Sequence, residues 1–539
     1  MNRKDFLKLI SLAGVGAPFY LNGMPSRFMN QFLDFQLSCD VVNDRSLVIL
    51  RLAGANDGLN TVIPVSQYST YAALRPNIKI NSSGTGSYIP LDSTVSSGKL
   101  VGLNPSMTGF KNLYDSGKLL LMNGVGYPNP NYSHFRSENL MFAGKDGTVN
   151  SDLLDGIFGR YLGALYPGLA GNPTTLNPDP LAIQMGNLNP CLFYEHTTEK
   201  NIEYNMTGFQ SSVFSNLNLM NSEYNDLLTY IKGVASSMDA YYNRVMQVFN
   251  AGNNSTATYP NSSLGKQLKT VARMIKGGSK TKIFQVNLSG FDTHVNQVQA
   301  GSTHLGLHAN LLGDIANSVA AFQADIQQLG IADKIMTVTF SEFGRQVREN
   351  GSTGTDHGDL APFFVIGNAA AAGILGDHPV FTNQTSFYYN QNQRRYDYRQ
   401  IFASLLQDWL GASTSLMVTS ELDYYVTGNQ KVDVISNAQK AGTVCATTLG
   451  TSSVTSEKGI KVYPVPASQY IYVDVENSRT PEIKYQMLDM SGRVILQRSE
   501  KPASGRIEIN VSSVPQGNYI LKLTVNSEEI NKKIVIAHH

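Results

Sequence analysis

The feature that most constrains the fold is a recurring unit in which an apolar strand ends at a glycine-marked polar loop. Uninterrupted runs of Val, Ile, Leu and Phe are typical of strands that are covered on both faces of a parallel sheet. Such runs are predicted at Ser46–Ala53, Lys118–Asn123, Lys282–Leu288, Lys334–Phe340 and Pro362–Ile366. Because they alternate with helical segments, they indicate an α/β domain with a mostly parallel sheet flanked by helices.

Helical periodicity and loop placement extend this prediction. The segments Leu264–Lys276 and His308–Leu329 have the 3.6-residue repeat of amphipathic helices. In open sheets of this kind, ligands bind outside the carboxyl ends of the strands. The polar loops all follow predicted strands, so side chains that are distant in sequence are expected to converge at that edge and form a site.

The charge balance argues against a nucleic-acid partner. Lys and Arg number 42 against 41 Asp and Glu, which gives a net charge of +1 and no broad basic surface. Charged residues make up only 15% of the 539 residues, a composition that hints at an exported protein. The three cysteines form no CxxC pair, which argues against a disulfide framework and a cysteine-based zinc site.

The amino terminus has the pattern of an export signal. A basic head, MNRKDFLK, precedes the apolar run Leu9–Tyr20, and no run of about 20 apolar residues predicts a transmembrane helix. The segment RKDFLK resembles a twin-arginine signal with Lys as its second basic residue. General secretory export is equally open, and a cytosolic amphipathic helix is the alternative.

A strand-rich tail follows a linker. Residues 438–458 are rich in Thr, Ser, Gly and Ala, as linkers are. Short alternating segments from 459 to 539 predict a small β-sandwich, with strands at Gln469–Val475, Lys484–Asp489, Arg493–Arg498, Arg506–Val511, Asn518–Val525 and Glu529–Ile536. The predicted division is an export signal and N-terminal segment (1–44), an α/β domain (45–437), the linker and the β-sandwich.

Four motifs of the tail point to secretion. They are Val462–Pro466 (VYPVP), Asp489–Val494 (DMSGRV), Val514–Tyr519 (VPQGNY) and Lys532–Ile536 (KKIVI). The tail thereby resembles the type A C-terminal sorting domain of the type nine secretion system of Bacteroidetes, whose members commonly have YPNP where this chain has YPVP. The resemblance implies the type nine secretion machinery as a partner, passage through the periplasm, and delivery to the cell surface or medium with removal of the tail. A carbohydrate-binding or adhesion sandwich is the alternative.

Candidate metal ligands stand in the loops that follow the predicted strands. They are Asp57, Asp292, His294, Glu342, Asp356 and His357. Adjacent Asp356 and His357 offer one oxygen and one nitrogen ligand, a pair suited to Zn²⁺ or Mn²⁺. Asp292 and His294 are two residues apart in an extended segment, so both project to the same side. The pattern predicts a metal or anion site, with zinc favoured over manganese and calcium.

Ser133 is the candidate nucleophile. It precedes a predicted helix, whose N-terminus would favour an anion and help to ionise a hydroxyl group. Arg136 and Arg345 are candidates to stabilise charge on the reacting group. Each has a structural alternative, because Ser133 would also suit an N-cap and Arg345 could pair with Glu342. His134, in the same loop as Ser133, could converge with the other two loop histidines.

Long motifs carry a second resemblance. They are Leu50–Pro64, Val125–Arg136, Gly290–Gln297 and Phe340–Gly358, and together they look like the bacterial family called domain of unknown function 1501, over roughly Arg45 to Thr427. That family is similar to the alkaline phosphatase and sulfatase superfamily. The resemblance implies an alkaline-phosphatase-like parallel sheet between helices, with a one-metal or two-metal site at the strand ends.

The same resemblance assigns roles by motif. Asp57 matches the first-strand metal carboxylate, Asp356 with His357 matches an Asp-His pair before Gly, and Ser133 is the counterpart of the nucleophile. The superfamily usually has its Asp-His-Gly directly after the strand, whereas about a dozen residues intervene here after Glu342.

Two functions are compatible with the sequence. The first is an exported metal-dependent hydrolase of phosphate or sulfate esters. The second is a non-catalytic surface protein that binds a glycan or protein partner on the same fold. An open coordination position would favour the enzyme, and a filled ligand shell would favour the binding protein.

Overall fold

The computed structural model divides the chain into two units, Met1–Ala446 and Thr447–His539. In the first unit, the structure describes residues 19–21, 24–28, 44–151, 153, 155–165, 177–186, 240–381, 388–389, 393–427 and 430–441. In the second unit, it describes residues 460–463, 467, 469–475, 483–489, 493–501, 506–515, 517–525 and 528–536. The predicted export signal as far as residue 18 and the predicted linker beyond residue 441 lie outside the described residues.

Strands of the first unit are spread along its whole length. They are β1 (Phe19–Leu21), β2 (Met24–Phe28), β3 (Ser46–Ala53), β4 (Val62–Pro64), β5 (Ile89–Pro90), β6 (Val101–Leu103), β7 (Leu119–Gly126), β8 (Ala182–Met185), β9 (Ile283–Ser289), β10 (Ile335–Phe340), β11 (Gly344–Arg345), β12 (His357–Gly358), β13 (Ala361–Ile366), β14 (Gly373–Leu375) and β15 (Tyr396–Asp397).

Helices lie between these strands and after the last of them. They are α1 (Gly58–Thr61), α2 (Tyr68–Leu74), α3 (Thr108–Asp115), α4 (His134–Ala143), α5 (Ile157–Leu165), α6 (Ser263–Lys276), α7 (Leu307–Gln328), α8 (Tyr398–Ser404), α9 (Thr414–Thr419) and α10 (Asp423–Thr427). Residues 240–251 are also helical. The two helices predicted from periodicity are α6 and α7, and their observed bounds agree with the prediction to within a residue.

The largest sheet is mixed and has the order β1-β2-β8-β9-β3-β10-β13-β7-β14, with β15 also paired to β7. β8, β9, β3 and β10 are parallel neighbours. β13 is antiparallel to both β10 and β7, so β7 runs in the same direction as the parallel block. The loops that follow β3, β9, β10 and β7 therefore leave the sheet at the same edge.

Helices cover both faces of this sheet. Alternate residues of each strand point to opposite sides, so each strand contributes side chains to both covered faces. In β3, Leu47 and Ile49 belong to one apolar core, whereas Val48 and Leu50 belong to the other. α4, α5 and α8 pack on the first face, and α3, α6 and α7 pack on the second. Within the described residues, no helix is both long and apolar enough to cross a bilayer.

The second unit is a β-sandwich. Its strands are β16 (Ile460–Tyr463), β17 (Tyr470–Val475), β18 (Ile483–Asp489), β19 (Val494–Glu500), β20 (Arg506–Asn510), β21 (Gly517–Val525) and β22 (Glu528–Ile536). β16-β17-β20 form one antiparallel sheet and β19-β18-β21-β22 form the other. Side chains from both sheets, such as Ile471 and Leu521, share one core. The predicted fold class, a mostly parallel sheet flanked by helices and then a β-sandwich, is confirmed.

Candidate metal centre

Four loops at the common edge of the sheet deliver the residues of the site. The loop after β7 leads to His134, the first residue of α4, and the loop after β9 carries Asp292 and His294. The segment after β10 carries Glu342 and then enters the β11–β12 pair, in which Arg345 lies opposite His357. Strand direction and the β11–β12 pairing therefore bring together residues that are far apart in the chain.

The imidazoles of His134 and His357 converge on the carboxylate of Asp292. Asp292 Oδ1 lies 3.4 Å from His134 Nε2 and 3.5 Å from His357 Nε2. One ligand atom of each of these three residues lies within 4.8 Å of the others. Two ligands of a single zinc ion lie at most about 4 Å apart, because each is about 2 Å from the ion. Both measured distances to Asp292 satisfy that limit.

His294 lies beside two members of this group. Its Nε2 is 2.9 Å from His357 Nε2 and 3.0 Å from Asp292 Oδ1. The described part of the chain thus presents a set of histidine nitrogens around one carboxylate, a combination that suits zinc and other divalent transition metals.

Each of the three histidines is held at Nδ1 by an oxygen acceptor. The pairs are His134 with Glu342 Oε1 (2.8 Å), His294 with Asp356 Oδ1 (2.9 Å) and His357 with the carbonyl oxygen of Tyr132 (2.7 Å). A carbonyl oxygen can only accept, so Nδ1 of His357 donates and its Nε2 carries the lone pair. Metal-ligating histidines almost always have this second partner, which fixes the ring and its tautomer.

Two buried polar atoms at the site have no hydrogen-bond partner among the described residues. They are His134 Nε2 and Glu342 Oε2. Leaving a buried polar atom unsatisfied costs about 1–3 kcal/mol, so such atoms call for an explanation. A metal ion at His134 Nε2 would supply the missing interaction, and the donor set of the site therefore fits such an ion.

Electrostatics favour the metal-binding protonation states of His357 and Asp292, whereas they favour the protonated form of His134. Burial lowers the pKa of His357 and keeps its imidazole neutral at neutral pH. Burial would raise the pKa of Asp292, but the hydrogen bond and charge of Arg345 prevail and hold that pKa below its ordinary value. The hydrogen bond to Glu342 raises the pKa of His134 against the opposing effect of burial. A neutral imidazole and an ionised carboxylate are the ligand forms.

Glu342 and Asp356, which we expected to be direct metal ligands, contact the Nδ1 atoms of His134 and His294 instead. Glu342 Oε1 accepts a hydrogen bond from the backbone N–H of Gly54 (2.8 Å) as well as pairing with His134. Asp356 Oδ1 accepts from Asn350 Nδ2 (3.0 Å) and pairs with His294. Both carboxylates therefore orient histidines in the structure.

Asp57 is not brought into the group. Its side chain is fully buried, and Oδ2 lies 2.6 Å from Arg75 Nη1 and 2.6 Å from Gln297 Nε2. Asp57 also caps α1 by accepting a hydrogen bond from the backbone N–H of Leu59. The structure thus places this carboxylate in the core, paired with Arg75 and Gln297.

Both candidate arginines donate hydrogen bonds to other groups of the protein. Arg136 Nη2 donates to the carbonyl oxygens of Val149 and Ser151, at 2.5 and 3.0 Å. Arg345 is buried and donates to backbone carbonyl oxygens and to Asp292 Oδ1; the carbonyls are those of Gly54, Ala55, Phe291 and Thr355. Arg345 touches the site at Asp292 Oδ1 and, at 3.4 Å, at His294 Nε2, whereas the guanidinium of Arg136 holds a surface loop.

Ser133 stands at the N-cap position of α4. Its side chain is exposed and makes no capping hydrogen bond, so the expected structural use of this hydroxyl is not observed. It is adjacent in sequence to His134, the one member of the converging group to which the motifs gave no role. The sequence signal for His134 was its place in a polar loop after a strand.

Comparison with known proteins locates two families along the chain. Residues 196–435 match the family model described as protein of unknown function DUF1501, and residues 461–537 match the secretion system C-terminal sorting domain. The two matches cover separate segments of the chain. Both were predicted from motifs and are confirmed. The DUF1501 match contains Asp292, His294 and His357, whereas His134 precedes it. No curated protein matches the chain.

Solved structures of low identity are also similar to parts of the chain. One is a protein of the alkaline phosphatase superfamily from Vibrio parahaemolyticus, at 9% identity and a TM-score of 0.28, covering 100% of this chain and 92% of that one. Another is the lipoteichoic acid synthase LtaP from Listeria monocytogenes, at 11% identity and a TM-score of 0.26, covering 64% and 71%. A DUF3244 protein with an immunoglobulin-like β-sandwich from Bacteroides vulgatus has 19% identity and a TM-score of 0.13, covering 14% and 82%.

Proposed function

We propose that this protein is a metal-dependent hydrolase of phosphate or sulfate esters, exported to the cell surface or the medium. The observation that carries the proposal is the convergence of Nδ1-anchored histidines on Asp292. Export is supported by the match of residues 461–537 to a secretion sorting domain.

Solvent access supports a catalytic rather than a structural ion. The exposed fractions of the side chains are 49% for Asp292, 38% for His294, 28% for His134 and 23% for His357. Structural zinc sites are closed by four protein ligands, whereas catalytic sites keep a position open to water or substrate. A half-exposed ligand set suits the second kind.

His134, Asp292 and His357 would hold the ion, with His294 beside them. When bound, zinc would supply Lewis acidity, which lowers the pKa of a nearby water or hydroxyl group and stabilises negative charge. Glu342 and Asp356 keep the Nδ1 protons of their histidines in place, so that the opposite nitrogen stays available. Arg345 keeps Asp292 ionised and fixes its position.

The N-terminus of α4 supports an anionic substrate. α4 has 10 residues and begins at His134, so its first backbone N–H groups are free of helical partners and attract anions. Ser133 presents an exposed hydroxyl at this end and is the proposed nucleophile, with a water molecule as the other candidate.

Metal content and ester hydrolysis test the proposal together. We expect about one zinc ion per purified chain by elemental analysis, its loss in His134→Ala and His357→Ala, and hydrolysis of p-nitrophenyl phosphate or sulfate that disappears with it. His304→Ala is the matched control, because His304 is also partly exposed but lies outside the converging group.

The outcomes separate the two functions. Absence of bound metal in the wild type after dialysis against zinc, manganese and calcium would overturn the hydrolase. Bound metal without turnover of either ester would favour a non-catalytic protein that binds a glycan or protein partner.

A further inference from the structure

We propose that Gln297 is a positioning residue that locks together the two loops carrying the ligands of the metal site. This inference rests on the proposed metal centre. Gln297 touches none of the converging groups itself, and no motif argument assigned it a role.

The side chain of Gln297 is fully buried and joins two threonines through one atom. Its Oε1 accepts hydrogen bonds from Thr293 Oγ1 and Thr355 Oγ1, each at 2.9 Å. An amide oxygen has two lone pairs, so these two hydroxyls satisfy it completely.

Both threonines stand next to site residues in the chain. Thr293 lies between Asp292 and His294, and Thr355 directly precedes Asp356 and His357. Each threonine is buried, whereas Asp292, His294, Asp356 and His357 are exposed or partly exposed. The loops therefore turn their hydroxyls inward to Gln297 and their acidic and imidazole groups outward to the site.

Backbone hydrogen bonds also join the two loops. The N–H of Thr355 donates to the carbonyl oxygen of Thr293 (3.1 Å), and the N–H of Gln297 donates to that of Thr353 (3.0 Å). The amide of Gln297 completes this connection, because without it the two buried hydroxyls have no acceptor between the loops.

Asp57 fixes the orientation of the amide. Gln297 Nε2 donates to Asp57 Oδ2 at 2.6 Å, and the same oxygen is paired with the buried Arg75. An ionised carboxylate only accepts hydrogen bonds, so the NH₂ group faces Asp57 and the carbonyl oxygen faces the threonines. The buried Asp57–Arg75 pair thus acts on the site indirectly, by anchoring the residue that joins its loops.

Substitution by methionine removes this connection at nearly constant volume. Gln297→Met leaves both hydroxyls without their acceptor, so the loops can shift relative to each other. Metal ligands must be held within about 0.5 Å of their working positions. The spacing between Asp292 and His357, which belong to different loops, is the distance that such a shift changes.

Gln267 provides a matched control. It is also fully buried, its Oε1 accepts from the backbone N–H of Asn287 (2.8 Å), and its Nε2 donates to the carbonyl oxygen of the same residue (3.0 Å). Gln267→Met therefore removes comparable hydrogen bonds from α6 and β9, with no contact to the two ligand loops.

The experiment measures zinc affinity by chelator competition and thermal unfolding of the zinc-free full-length chain. We expect Gln297→Met to weaken zinc binding by about 10–100-fold, and Gln267→Met to leave it unchanged although both variants lower the melting temperature. Thr355→Val is expected to behave as Gln297→Met, and Thr355→Ser, which keeps the hydroxyl, to restore the affinity.

Equal zinc affinity in wild type, Gln297→Met and Thr355→Val would overturn the inference while leaving the proposed function intact. If Gln297→Met does not fold, the comparison of Thr355→Val with Thr355→Ser decides the matter. A wild-type chain that binds no zinc would instead remove the proposed function, and this inference with it.

Discussion

The described part of the chain contains histidines in two contrasting environments. Those of the candidate metal centre are partly exposed and anchored at Nδ1 by oxygen acceptors. His308 and His378 are buried, and burial lowers the pKa of each to about 4. His378 uses Nδ1 on the carbonyl oxygen of Pro379 and lies outside the converging group. Burial separates the candidate ligands from these two core histidines, and burial of a single histidine cannot be read from sequence.

The buried histidines make stability depend on pH. An unfolded histidine binds a proton below pH 6.5, whereas folded His308 remains neutral down to about pH 4. The unfolded state therefore binds more protons in this window, and the free energy of unfolding falls as the pH drops, by up to about 3 kcal/mol for one such group. The measurement is denaturant unfolding at pH 7 and pH 4.5.

The control for this prediction is His308→Gln. Glutamine keeps a donor for Asn56 Oδ1, which His308 Nε2 contacts at 2.9 Å, but it does not titrate. The variant should show a flatter dependence of unfolding free energy on pH. An unchanged slope would contradict the assignment of the pH effect to His308.

A second prediction concerns the buried ion pair of Asp57 and Arg75. Both side chains are fully buried, and their closest atoms are 2.6 Å apart. Arg75→Met leaves Asp57 charged and without its main partner, so we expect a loss of about 3–5 kcal/mol in the free energy of unfolding. Asp57→Asn/Arg75→Met should be less destabilised than Arg75→Met alone. Additive effects of the two single changes in a double-mutant cycle would contradict this coupling.

Long elements of the fold were predictable, and short ones were not. β3 has the predicted bounds, and β9, β10 and β13 agree with prediction to within a residue. These strands carry apolar runs that identify them by themselves. The two-residue strands β11 and β12 have no such pattern, yet their pairing places Arg345 opposite His357. The loops that form the site could therefore be predicted from the sequence, but the contacts among their side chains could not.

In the structure, Arg345 joins several segments of the chain through hydrogen bonds. Its guanidinium donates to carbonyl oxygens in the segments that follow β3 and β9 and to that of Thr355. Arg345→Lys keeps the charge but replaces a planar fork of five donors by a single nitrogen. At least two buried carbonyl groups then lose their donor, and we expect about 3 kcal/mol less stability.

Arg136→Lys is the comparison for this change. Arg136 also donates to backbone carbonyls, but one of its bonds is solvent-exposed, so its replacement should cost less than about 1 kcal/mol. Urea unfolding of the two variants measures the difference. Similar losses of unfolding free energy in the two variants would contradict a larger contribution from the buried hydrogen bonds of Arg345.

At the scale of the whole molecule, each unit has an apolar core of its own. In the first unit, one large core lies on each face of the largest sheet, and the second unit has a core between its two small sheets. A chain that ends at Ala446 should therefore keep the melting transition and the zinc content of the first unit. Calorimetry and elemental analysis of this truncated chain test the expectation. Loss of bound zinc on truncation would contradict it.

The ligands of the candidate centre come from segments that are far apart along the chain, so the site exists only once the large sheet is complete. An extended polypeptide has no place to hold the proposed ion, so the metal would be acquired wherever folding finishes. A route that exports folded chains would load the protein from the cytoplasmic metal supply, and a route that exports unfolded chains would load it afterwards. The identity of the bound metal would then indicate the cellular compartment in which the large sheet forms.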